Sequence, residues 1–101
     1  MNSRESVEAW IGKRDSFYFF LPDGPYGRPF DNQYTVKEIQ WLDDGCNVIF
    51  SDEISLCFVG LIDFVEEINN LVIRNFSQCL FKINGSVIDA YSAGEVTLAG
   101  F

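Results

Sequence analysis

The sequence predicts a mainly β fold: an antiparallel meander forming a barrel-like or two-layer sheet of about seven strands, with one short N-terminal helix. Three observations carry this. Segments rich in β-branched and aromatic residues recur between turn signals about every eight to twelve residues. No strand–helix alternation of the kind a parallel sheet requires is visible. Ten phenylalanines, four tyrosines and two tryptophans supply the apolar mass of a packed core rather than a disordered chain. At 101 residues the chain is read as a single domain, residues 1–101.

The helix is expected over residues 3–13. Asn2 or Ser3 can cap it and Glu5 lies in the favourable first turn. Val7, Trp10, Ile11 and Arg14 fall at i, i+3, i+4 and i+7, one stripe of a helix that must dock to persist at this length. Phe17 to Leu21 reads as the first strand and Tyr34 to Leu42 as the second, closed by the turn Asp43-Asp44-Gly45. Cys46 to Ser51 and Ile54 to Gly60 flank Asp52-Glu53 as a tight hairpin. Alternation there places Cys46, Val48 and Phe50 on one face, with Ile54, Leu56 and Phe58 on the matching one. Residues 61–68 fit a helical stripe (Leu61, Phe64, Val65, Ile68) and a strand (Ile62, Phe64, Glu66, Ile68). The strand is favoured because Asn69-Asn70 follows as a turn and Leu71-Val72-Ile73 resumes β character. Gln78 to Ile83 and Ser86 to Tyr91 flank Asn84-Gly85, the strongest short-range hairpin signal in the chain. A last strand runs from Glu95 to Phe101.

Leu21 to Asn32 holds all three prolines and two of the eight glycines. Proline fixes φ and glycine admits positive φ, so this stretch specifies one stiff loop rather than a helix or central strand. Arg28 sits in it between Asp23 and Asp31, with Tyr26 and Phe30 beside it. One reading pairs Arg28 with either carboxylate to pin the loop, with Asp31 or Asn32 capping the following turn. The functional reading makes Asp23, Tyr26, Arg28, Phe30, Asp31 and Asn32 a binding surface, since aromatics and Arg are favoured at interface hot spots.

Charge adds a second candidate surface. The net charge is −8, and between Glu38 and Ile73 no Lys or Arg occurs among eight acids. Asp43, Asp44, Asp52, Glu53, Asp63, Glu66 and Glu67 are the candidates for an acidic surface. Such a field repels phosphate backbones and attracts a basic protein, and its plainer reading is a solvated acidic surface that keeps a small protein soluble. The chain contains no histidine, which removes the commonest general base, metal ligand and nucleophile activator. The carboxylate pairs lie at adjacent positions, which point to opposite faces of a strand or serve turn geometry. No catalytic residue, metal site or cofactor is therefore expected, and the chain is read as no enzyme. Cys46, Cys57 and Cys79 lie in apolar runs without C-x-x-C spacing, as buried reduced thiols would. Residues 1–8 show no apolar signal core, and no apolar run approaches the roughly 20 residues of a membrane span. A cytoplasmic location is expected.

The loop Pro22-Asp23-Gly24-Pro25-Tyr26-Gly27-Arg28-Pro29-Phe30-Asp31-Asn32 resembles that of a group of small bacterial proteins carrying P-D-G-x-x-G-R-P-[FY]-D-N. Their L-x-I-x-x-F segment is matched by Leu71-Val72-Ile73-Arg74-Asn75-Phe76, and their S-G-E-V-like strand by Ala93-Gly94-Glu95-Val96. Pro25 and Gln33-Tyr34 stand where those proteins have an aromatic and a histidine, so no role for that histidine carries over. The resemblance implies a bacterial cytoplasmic protein and supplies no catalytic residues.

The function expected is a non-enzymatic protein-interaction module, one form of which is an immunity-type antagonist binding a basic protein partner. Neither nucleic acid nor a membrane is an expected partner, and a homodimer is allowed. The alternative is a small-molecule-binding β-barrel, with Phe19, Trp41, Phe58 and Phe81 lining an aromatic cavity under the 22–32 loop.

Overall fold

The computed structural model describes residues 4–22, 24–25, 34–51 and 53–100. In chain order the elements are α1 (Arg4–Gly12), β1 (Phe17–Leu21), the two-residue β2 (Gly24–Pro25), β3 (Val36–Leu42), β4 (Gly45–Phe50), β5 (Ile54–Val59), β6 (Asp63–Glu66), β7 (Asn70–Arg74), β8 (Gln78–Ile83), β9 (Ser86–Tyr91) and β10 (Val96–Gly100). The expected count of about seven strands is too low. Among the described residues nine strands form beside the short β2 ladder, because each β-rich run becomes a strand of its own, including the four-residue β6.

Two antiparallel sheets result, β2-β1-β10-β7-β6 and β3-β4-β5-β8-β9. The two-layer expectation holds and the barrel-like one does not. Among the described residues the sheets do not close, and α1 is hydrogen-bonded to both the β6 and the β3 edges. Just before β3 a bridge joins the chain to β1: Phe17 and Tyr34 exchange backbone hydrogen bonds of 2.7 and 2.9 Å.

The core sits between the layers. Phe17, Phe19 and Leu21 alternate inward on β1, facing Cys46, Val48 and Phe50 of β4 and Ile54, Leu56 and Phe58 of β5. Phe19 stacks on Phe50 at 5.1 Å and meets Phe81 edge-on at 6.0 Å, so aromatic pairs join the two sheets. The Asn84-Gly85 turn adopts positive φ at both central residues, 53° and 80°, as the tight hairpin requires.

Helix α1 buries Val7, Trp10 and Ile11, the stripe the spacing predicts. It also laces two edge strands. Toward β6, the Ser6 hydroxyl donates to Glu66 Oε2 at 2.5 Å, and Trp10 Nε1 donates to the Glu67 carbonyl at 2.9 Å. Toward β3, Arg4 donates to the Leu42 carbonyl at 3.1 Å and Trp41 Nε1 donates to Glu8 Oε1 at 2.7 Å. Arg14, the fourth member of the stripe, lies 3.8 Å from the Trp10 ring and donates to the carbonyls of Trp10 and Ile68.

Cys46 and Cys79 are fully buried on either side of Phe58, and burial pushes both thiols up to about 12 from an ordinary 9.0. Below pH 9 both folded and unfolded chains hold these protons, and the stabilisation is complete. Between about 9 and 12 the unfolded chain releases them while the folded one retains them, so each unit of pH costs up to about 1.4 kcal/mol per thiol. Urea midpoints should therefore fall as pH rises past 9. A Cys46→Ala/Cys79→Ala double variant should lose most of that slope, and an unchanged slope would refute the assignment.

Candidate functional site

At the end of the sandwich where β3 turns into β4, an open apolar groove of about 490 Å³ separates the two sheets. Trp41 and Phe64 line it, crossing edge-to-face at 5.8 Å from opposite sheets. Leu42, Leu61 and Ile62 supply apolar walls, and Arg4, Asp43, Asp63 and Asn75 supply polar ones.

The walls are held by backbone. Gly45 opens β4 so close to β5 that a Cβ there would lie 1.9 Å from the Phe58 carbonyl oxygen. The Gly60 amide donates to the Asp44 carbonyl at 2.6 Å, tying the β3–β4 turn to the β5–β6 loop. Gly60 itself has φ 112°, and its missing side chain makes room for Ser77, whose amide and hydroxyl both donate to the Val59 carbonyl. Asn75, at φ 63°, donates through Nδ2 to the Leu61 carbonyl at 3.0 Å. The loop is thus braced from both sides while the Leu61 side chain stands 86 % exposed. Arg4 is turned toward the wall, with its guanidinium 5.2 Å from the Trp41 ring centre. Asp63 pairs with Arg74 at 3.0 Å, and Arg74 also reaches Glu95 at 4.0 Å.

The sequence candidates separate. Asp23, Tyr26, Arg28, Phe30, Asp31 and Asn32 lie outside the described residues, as does Asp52. The remaining acids do not make one surface. Asp43, Asp44 and Asp63 lie at the groove end. Glu53 turns the β4–β5 hairpin at the opposite end, and Glu66 and Glu67 are engaged along α1. Antiparallel connections send successive turns to alternate ends, so an acidic run in sequence cannot stay together in space. The aromatic-cavity residues separate likewise: Phe19, Phe58 and Phe81 are packed inside the core, and Trp41 alone of the four lines the groove.

Sequence reasoning missed Leu42, Leu61 and Ile62. The available signal was Leu61 itself, a large apolar residue directly after Gly60, where the alternation of β5 has already ended. Among the described residues no three His, Cys, Asp or Glu side chains cluster as a metal site, and no helix is long and apolar enough to cross a membrane. Compared with known proteins, the chain matches no family model, no curated protein and no solved structure at a significant level.

Proposed function

We propose that the protein is a non-enzymatic binding module whose groove receives an apolar side chain of a protein partner, flanked on that partner by positive charge. The observation that carries this is Leu61, braced by Asn75 and Ser77 yet 86 % exposed at the lip of an apolar trough. Sites for small molecules bury most of their ligand. An open groove with a leucine standing at its lip fits a protruding side chain better. Charge selects the flanks: Asp43 and Asp44 are exposed in the turn that forms one wall, whereas Arg4 is spent on the Leu42 carbonyl and the Trp41 ring.

Titrating the labelled protein with acetyl-Lys-Leu-Lys-amide should shift amide resonances confined to residues 41–45 and 60–64. The Glu-Leu-Glu counterpart should bind more weakly, and the difference should fade with added salt. Leu61→Asp should abolish the shifts with little change in melting temperature, because exposed substitutions usually stay within about 0.5 kcal/mol. Shifts elsewhere, or equal binding of the two peptides, would rule the reading out.

A further inference from the structure

The outer face of the β3-β4-β5-β8-β9 sheet has a composition unlike the rest of the chain. Register places three rows of side chains on it: Glu38, Ile49, Ser55, Lys82 and Val87; Gln40, Asn47, Cys57, Leu80 and Ala90; and Leu42, Gly45, Val59 and Gln78. A solvated face of an antiparallel sheet normally alternates to polar residues. Here Ile49, Cys57 and Leu80 occupy its middle. Val87 and Ile88, exposed by 54 and 50 %, extend it at the bulge of β9. Apart from Glu38, the described acids stand elsewhere: in the turns and loops, along α1, on the other sheet, or, as with the exposed Asp89, in register with the inward-facing Phe81. The three rows carry one charge of each sign, Glu38 and Lys82, on either side of the central strand β5.

We propose that this face docks a second copy of the chain, sheet against sheet, about a two-fold axis running along β5. That axis places β8 of one copy over β4 of the other. Lys82 is then offset sideways by one strand spacing, about 5 Å, from the strand that carries Glu38 of the second copy, and the two side chains meet across the roughly 10 Å between the stacked sheets. The pairing is self-complementary, as a two-fold interface must be. Edge-to-edge addition at β9 is disfavoured by its bulge and by Asp89. Five strands of about six residues offer a face of roughly 500 Å² per copy, below the roughly 800 Å² of a standard interface, so the dimer is weak and concentration-dependent. Cys57 sits at its centre and is the one cysteine not fully buried.

Sedimentation of the intact chain between about 5 and 500 µM, a range bracketing a weak interface, should show the mass rising from 11.5 kDa toward twice that value. Leu80→Lys should hold it at the monomer. Should that variant fail to fold, Ile88→Lys decides, its side chain being half-exposed already. Alkylation of Cys57 by iodoacetamide, read by mass spectrometry, should slow several-fold over the same concentration range. A monomer at every concentration overturns the proposal. So does a dimer that survives both variants but is lost in Val72→Lys on the opposite sheet, or one in which Cys57 alkylates at an unchanged rate.

Discussion

Replacing Trp10 by alanine is expected to cost about 3–5 kcal/mol, the range for truncating a large buried aromatic. The residue is 6 % exposed, meets Phe17 at 6.0 Å, donates to the Glu67 carbonyl and carries the Arg14 guanidinium on its ring. Alanine removes the apolar contact and orphans the Glu67 carbonyl together. At roughly 4 °C per kcal/mol for a domain of this size, the melting temperature should fall by about 12 °C or more. An unchanged melt would mean that α1 contributes nothing to the folded state.

Gly45→Ala should be nearly as damaging, at about 3 kcal/mol or more. Overpacking a core costs about 1–3 kcal/mol where side chains can yield, and more where they cannot. Here the new methyl would meet the Phe58 carbonyl oxygen at 1.9 Å and its carbon at 2.9 Å, so backbone must move. The strand pair Gly45–Val59 and Cys46–Phe58 would have to part, taking the Gly60–Asp44 hydrogen bond with it. Denaturant unfolding measures the loss. A variant as stable as the parent would show that β4 and β5 separate there at no cost.

What the sequence disclosed was local. The Asn84-Gly85 hairpin, the alternation through Cys46–Phe50 and Ile54–Val59, and the α1 stripe each follow from residues a few positions apart. The ambiguity over residues 61–68 resolves as the strand Asp63–Glu66, with Phe64 and Glu66 paired inward against Ile73 and Leu71. Pairing between distant segments was not legible. β10, last in the chain, is the central strand of its sheet between β1 and β7, a position that no turn signal encodes. The groove was hidden for the same reason, since Trp41, Leu61 and Phe64 come together only once the sheets are stacked. The helix was expected to dock Trp10 on the rest of the fold. That it is hydrogen-bonded to both β6 and β3 depends on Glu8 meeting Trp41 and Ser6 meeting Glu66, contacts across 33 and 60 residues.

That position gives α1 a bearing on solubility. Edge strands carry unpaired amides and carbonyls that template association with other chains. Because one nine-residue helix is laced to both β6 and β3, its release uncovers two such edges at once, with the apolar Trp41 and Phe64 beside them. Fraying at this single element then governs how long the protein survives at high concentration. A substitution that loosens the helix by a few kcal/mol would be felt first as loss to precipitate, well below the temperature at which the sheets themselves melt.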